Sequence, residues 1–425
     1  MVNFIRSIVV TATIKQTGIT FTGTIINGLL GALFYIICAR FLGPADFGLL
    51  VVVIMFLTMV VDISDLGIDT GTIRFVSKYW ENEKDKAIGV INLVLRAKLL
   101  ISLVVVAIGL LFTDFISVLL FNKTELTTPL RLSFLGIMGF HLYSLSISLF
   151  QSLQMFWVWS GLQVFTNALR IITLVILLFF GKLNLTYAVV VYISLPFLGF
   201  LFALIFLPKI FNKPLEIKET FNEFYHYSKW VAVSNLMAAV SARLDTFITA
   251  RLLTATEVGF YAAANQLTMA VPQIIGALGT VIAPKMAGMG SRKDFVAYLK
   301  KTQLLVTGLV GLGLLSLPLV IYLIPLIYGQ EYASSVPLLF SILFIAMLVF
   351  LLATPLHTAI FYYYGYSKMF TWLSMLHLLI VAIVGWNLVI LYGAIGAAIT
   401  VLIAMVVNFL ISALWVVKEL RKKDE

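Results

Sequence analysis

Twelve apolar runs, each close to the length of a bilayer crossing and parted by short polar corners, govern what this chain can become. They fall at approximately 17–39, 47–69, 88–112, 129–151, 155–180, 184–207, 228–250, 257–283, 298–325, 333–356, 369–391 and 393–417. A helix needs about 20 mainly apolar residues to cross the hydrocarbon core. Charged residues make up only 11% of the 425, and 61% are hydrophobic; soluble domains carry roughly a quarter charged residues. A membrane β-barrel would show segments of about ten residues with alternating polarity, and these runs are too long and too uniform. The fold class is therefore an all-α polytopic membrane protein with about 12 transmembrane helices.

Orientation follows from the 29 Lys and Arg. With the N-terminus on the cytoplasmic side, nineteen of them fall on inner segments, including Arg74, Lys78, Lys84, Lys285, Arg292, Lys300 and Lys418. Only Arg40, Lys123, Lys182 and Arg251 fall outside, a strong positive-inside bias. Both termini are then cytoplasmic, and the expected location is the cytoplasmic membrane. The net charge of +10 reads as topology plus attraction to anionic headgroups. Its dispersal over short loops argues against nucleic-acid binding. The opening "MVNFIRSIVVTATIKQ" lacks a signal-peptide core and cleavage site; an amphipathic helix on the inner surface is the expectation there.

The chain also repeats itself. "ARFLGPADFGLL" at 39–50 returns as "ARLLTATEVGFY" at 250–261, an offset of 211 that sets Arg40 on Arg251, Asp46 on Glu257 and Gly48 on Gly259. Half the chain with six crossings implies parallel repeats about an axis along the membrane normal. The expected organisation is an N-terminal six-helix lobe, 1–207, a cytoplasmic linker, 208–227, and a C-terminal lobe, 228–425. The echoed corner is the outer hairpin between the first two helices of each lobe, with Gly43 and Pro44 making the turn and the two arginines anchoring helix ends.

Enzymatic chemistry finds no foothold. Polar loops of about 20 residues or fewer leave no room for a nucleotide-binding fold, and no P-loop or dinucleotide glycine fingerprint is present. His141, His226, His357 and His377 are scattered, with no nucleophile triad or HExxH pattern. Cys38 is the single cysteine and fits no disulfide or metal pattern. No metal and no cofactor is expected, and the chain reads as a transporter rather than an enzyme.

The informative residues are the charges inside the spans, each costing about 2.5–3.5 kcal/mol at a helix centre unless it faces water or a partner. Arg96, Lys98, Arg131, Arg170, Lys229 and Arg243 are the basic ones. Lys229 and Arg131 lie near span ends, where long side chains snorkel. Arg170 and Arg243 lie deeper and either line a cavity or close buried ion pairs. Asp62, Asp65 and Asp69 follow i, i+3, i+7 spacing on one expected helical face. That row could bind a proton or Na⁺, or pair with Arg96 and Lys98. Arg243 and Asp245, about 200° apart around a helix, cannot share a face.

"ARFLGPADFGLL", "DLGIDTGTIRFVSKY" and "RLDTFITARLLTATEVGFYAAANQL" together resemble the Wzx-type polysaccharide flippases of the multidrug/oligosaccharidyl-lipid/polysaccharide exporter superfamily. The resemblance covers essentially the whole chain in length, topology and half-repeat. It implies two six-helix lobes forming a V and translocation of a polyprenyl-linked glycan to the outer leaflet. It further implies a cationic cavity that accepts the lipid pyrophosphate, for which Arg170, Arg243, Arg96, Lys98, Lys229 and Arg74 are the candidates. Flippases of this type couple to an ion gradient or the membrane potential; Asp62, Asp65, Asp69 and Asp245 are the candidates for H⁺ or Na⁺ coupling or for charge pairing. Membrane lipids, polysaccharide polymerases and glycosyltransferases are the candidate partners. Trp157, Trp159, Tyr261, Tyr362 and Tyr363 could stack on sugars or form interface belts. Pro272, Pro318, Pro325 and Pro355 could supply bending points. A small-organic-cation exporter of the same superfamily, expected to have an acidic cavity, is the alternative. A non-transporting membrane assembly factor or embedded enzyme is the other.

Overall fold

A computed structural model describes residues 12–207, 218–241, 243–366 and 368–422. The expected N-terminal surface helix lies largely outside these residues, as does the first half of the 208–227 linker, 208–217. All regular structure among the described residues is helical. In order, α1 is Ala12–Ser64, α2 Ile68–Tyr79, α3 Lys84–Leu119, α4 Thr127–Ser152, α5 Phe156–Phe179, α6 Leu185–Ala203, α7 Lys218–Ser241 and α8 Leu244–Leu252. Then follow α9, Ala255–Thr268; α10, Ala270–Ala287; α11, Arg292–Tyr328; α12, Val336–Thr358; α13, Lys368–Leu379; and α14, Trp386–Arg421. One π-helical segment, Ala359–Tyr363, follows α12 just beyond Pro355, and a second, Ile380–Gly385, links α13 to α14.

Among the described residues nine helical stretches are long and apolar enough to cross a membrane. Two of them, Gly18–Ser64 and Lys368–Arg421, have 47 and 54 residues, about twice the length one crossing needs. Each is broken inside by a glycine with positive φ: Gly43 at φ 78°, ψ 169°, and Gly393 at φ 59°, ψ −138°. A Cβ is strongly disfavoured in those conformations, which is why glycine stands there. Phe221–Ser241 and Leu244–Leu252 are a bent pair that passes the same test only together. Counting each broken helix as two crossings and the bent pair as one gives twelve.

Helix starts are set by local side chains. Asn184 Oδ1 accepts from the Tyr187 amide at 2.9 Å, an N-cap that satisfies one of the unpaired first-turn donors. Thr254 and Glu257 form a reciprocal capping box at the start of α9. Gly43 is the repeat equivalent of Thr254, and Pro44, like Ala255, opens a helix at its first position, where the missing N–H of proline costs nothing.

The second span differs from expectation. It ends at Ser64, and the chain turns through Leu66 (φ 52°) and Gly67 (φ 72°) before α2 begins. Asp62, Asp65 and Asp69 therefore do not lie on one continuous helix. The Gly67 turn is required by close packing: a Cβ there would sit 2.6 Å from the Ser228 carbonyl oxygen.

The chain packs as two compact units, residues 1–42 with 49–243, and residues 43–48 with 244–425. Phe221–Ser241 of the seventh span thus packs with the first unit, and Leu244–Leu252 with the second. In the first unit, Phe75, Val76 and Tyr79 of α2 pack with Val90 and Val94 of α3, Leu145 and Leu149 of α4, and Phe224 of α7. This apolar face fixes α2 and with it the direction of Asp69. In the second unit, Phe295 and Leu299 of α11 pack with Ile282, Met286, Ile360, Leu373 and Val416.

The echoed corners meet inside the second unit. A Cβ on Gly48 would fall on the Ala255 carbonyl oxygen and lie 2.7 Å from the Gly259 nitrogen. A Cβ on Gly259 would fall on the Pro44 carbonyl oxygen. Pro44 and Ala255 are related by the same offset of 211 as Gly48 and Gly259, so the contact is self-complementary, as an isologous interface is.

Candidate functional site

Lys98, in the middle of α3, is 1% exposed. A lone ammonium so buried would be very costly, and three groups surround it. Asp65 Oδ1 and Asp69 Oδ1 each lie 2.9 Å from Nζ, and Nζ donates to Ser144 Oγ at 2.8 Å. The left-handed turn at Leu66–Gly67 is what brings carboxylates from the end of α1 and the start of α2 onto one nitrogen. Next to this set, His141 is 1% exposed and bridges Ser64 Oγ at 3.0 Å through Nε2 and Ser102 Oγ at 2.8 Å through Nδ1. Ser102 Oγ also donates to the Lys98 carbonyl at 2.6 Å. The ladder locks α1, α3 and α4 together.

Asp62 turns elsewhere. Its Oδ2 accepts from Arg243 Nη2 at 2.7 Å, and Arg243 Nη1 donates to the Ala239 carbonyl at 3.4 Å. The pair lies on the wall of a cavity of about 460 Å³ inside the first unit, lined by Asp62, Asp65, Asp69, Ser144, Asn235 and Arg243 among others. Arg243 thus both pairs and faces the cavity. Around it three carboxylates face two cations, Arg243 and Lys98, which leaves one excess negative charge where a cationic cavity was expected. The cause is the saturation of Lys98 by two aspartates.

Arg170, on α5, has a different setting. Its guanidinium carbon lies 4.4 Å from the Tyr192 ring centre and 5.5 Å from that of Phe34. Nη1 donates to Asn167 Oδ1 at 2.7 Å. The amide ladder continues from Asn167 to Asn27, and from Asn27 to Gln163 at 3.5 Å. Among the described residues no carboxylate pairs with Arg170, and its Nε is buried without a hydrogen-bond partner.

A family model described as polysaccharide biosynthesis protein matches residues 13–289. The chain belongs to the polysaccharide biosynthesis protein family. A relative described as a putative O-antigen transporter, from Shigella flexneri, is 25% identical over 197 residues; the match takes in 45% of this chain and 46% of the relative. The chain therefore spans about half the length of that relative. Among solved structures, an inward-facing multidrug resistance MATE family transporter of the MOP superfamily superposes with a TM-score of 0.74 at 14% identity, over 92% of this chain and 93% of that one. The lipid II flippase MurJ, in an inward closed conformation, gives 0.72 at 18% identity over 94% and 87%. This family member has the helical fold of those MOP-superfamily transporters.

Of the residues singled out in the sequence, the first unit brings together Asp62, Asp65, Asp69, Lys98 and Arg243. Arg96 is exposed on α3, and Arg74 is exposed with its guanidinium 4.4 Å from the Tyr227 ring centre. Lys229 is half-buried with Nζ 5.8 Å from the Trp230 ring centre. None of these three lines the 460 Å³ cavity. Asp245 belongs to the second unit, where its Oδ2 accepts from Tyr261 at 2.8 Å. The His141 ladder and the Asn27, Gln163 and Asn167 amides are functional-site residues that carry no charge to mark them in the sequence. Gln163, Asn167 and Arg170 recur at i, i+4, i+7 within an apolar run, a polar stripe that periodicity could have shown.

Proposed function

We propose that this family member is a flippase that moves a glycan linked through a phosphate or pyrophosphate to a polyprenol across the cytoplasmic membrane by alternating access, with both termini in the cytoplasm. Such a cargo has a headgroup that cannot enter hydrocarbon and a tail that need never leave it. The observation that carries the reading is Arg170: a guanidinium with no carboxylate partner among the described residues, flanked by two aromatic rings and continued by an amide ladder. Planar guanidinium forks bind phosphate oxygens, and rings with amides offer the stacking and hydrogen bonding that sugars need. Arg243 supplies a second fork, on the wall of the 460 Å³ cavity, which Arg170 itself does not line. Membership of a polysaccharide biosynthesis family and the MurJ-like fold support the same cargo class. The sequence halves, 1–207 and 228–425 joined by 208–227, serve as the two repeats of the transport cycle.

The acidic excess in the cavity favours a second reading, export of an organic cation. Its weakness is that Asp65 and Asp69 are already occupied by Lys98. Flipping of a polyprenyl-diphosphate glycan in proteoliposomes, followed by headgroup protection, separates the two. Transport lost in Arg170→Ala and Arg243→Ala with folding intact supports the glycan reading. Ethidium efflux that survives both substitutions, with no glycan flipping by the wild type, would replace it.

A further inference from the structure

The Asp62–Arg243 pair joins the second span to the break within the seventh, between Ser241 and Leu244, across 181 residues of sequence. It is a half-open contact: the Asp62 side chain is 48% exposed and that of Arg243 24%. One carboxylate oxygen meets one nitrogen at 2.7 Å, whereas a guanidinium favours two parallel bonds to one anion. Lys98, beside it, cannot offer an alternative site because it is buried between Asp65 and Asp69. Any anion that enters this cavity is therefore received by Arg243, and Asp62 already stands there.

We propose that Asp62 is a positioning residue that works by exchange: its carboxylate holds Arg243 when the cavity is empty, gives way to the phosphate oxygens of an incoming headgroup, and returns as the headgroup leaves. The inference rests on the reading that the cavity receives a phosphate-bearing lipid. Its physical basis is that a guanidinium left without its carboxylate loses a charge-assisted hydrogen bond, so a headgroup leaving a bare arginine would break that bond with nothing to replace it, and would leave slowly. A resident carboxylate keeps the guanidinium paired at both ends of the cycle. It lowers affinity and speeds release, which a carrier needs more than tight binding. The monodentate geometry suits this role, because a bidentate diphosphate can displace a one-bond partner while the reverse exchange needs only a short swing of Asp62.

The test uses the purified full chain in detergent with inorganic pyrophosphate as the probe, its dissociation constant read by calorimetry and its dissociation rate by stopped-flow competition. Asp62→Asn is expected to tighten binding about tenfold and to slow dissociation, as loss of one charge-assisted competitor implies. Asp62→Glu, which keeps the carboxylate, should restore wild-type values. Arg243→Gln should lose binding, and Asp62→Asn with Arg243→Gln should match Arg243→Gln alone. If Asp62→Asn does not fold, Asp62→Ser takes its place with the same expectation. Unchanged affinity in the neutral variants, with Arg243→Gln still losing the probe, overturns the role of Asp62 alone. Equal binding by wild type and Arg243→Gln overturns the anion-receiving cavity and this inference with it.

Discussion

Gly48 and Gly259 pack backbone against backbone, each lying over the carbonyl oxygen at the first helical position of the other's corner. This explains why the corner occurs twice: one copy is the surface that the other packs on. Alanine at either site must push a carbonyl aside, and overpacking of this kind costs about 1–3 kcal/mol. Gly48→Ala and Gly259→Ala are each expected to lower the thermal midpoint of the detergent-solubilised protein by several degrees. Gly311→Ala, whose Cβ would meet nothing within 4 Å, should leave it unchanged. Equal behaviour of all three would mean that the crossing is looser than described.

Lys98 holds two carboxylates, so its removal is worse than the removal of either. Lys98→Met leaves Asp65 and Asp69 facing each other without a cation, and breaking a buried pair in this way costs about 3–5 kcal/mol. Asp65→Asn should be milder, because Asp69 still lies 2.9 Å from Nζ. Adding Asp65→Asn and Asp69→Asn to Lys98→Met should recover most of the lost stability. Thermal unfolding of the four proteins checks the order, and a triple variant no better than Lys98→Met would contradict the pairing.

Arg170 is held by shape as much as by charge. Lysine keeps the charge but loses the planar stack on Tyr192 and the fork toward Asn167. Arg170→Lys is therefore expected to reduce glycan flipping by more than about tenfold, close to the loss in Arg170→Ala, with little change in thermal midpoint. Full activity in Arg170→Lys would show that a point charge suffices there.

The crossings were legible because hydrocarbon imposes a length and an apolar composition that little else in a chain imitates. The turn at Gly43–Pro44 was legible too, since that dipeptide pairs a residue free to adopt positive φ with one that opens a helix. The break at Leu66 and Gly67 was not. A leucine at φ 52° is disfavoured locally and is imposed by the packing of Gly67 on Ser228. Every partner assignment among Asp62, Asp65 and Asp69 depended on that break, so three visible charges gave the wrong common face. His141 with Ser64 and Ser102 stayed hidden for another reason. Small polar residues in apolar spans satisfy themselves on their own helix backbone, and only the fold shows which of them also reach across.

The distribution of basic residues makes a prediction about orientation that needs no substrate. Cys38, the single cysteine, is fully buried, so cysteines placed at exposed loop positions can be read against a quiet background. Lys182 is exposed in the turn between α5 and α6, Lys84 at the start of α3, and Lys300 in the first turns of α11. In intact cells a membrane-impermeant maleimide should label Lys182→Cys and leave Lys84→Cys and Lys300→Cys untouched until the membrane is opened. The reasoning is that short loops rich in Lys and Arg are retained on the cytoplasmic side, and Lys84 and Lys300 lie in the two segments between spans that carry the most Lys and Arg. Labelling of Lys84→Cys from outside, with Lys182→Cys protected, would invert the orientation.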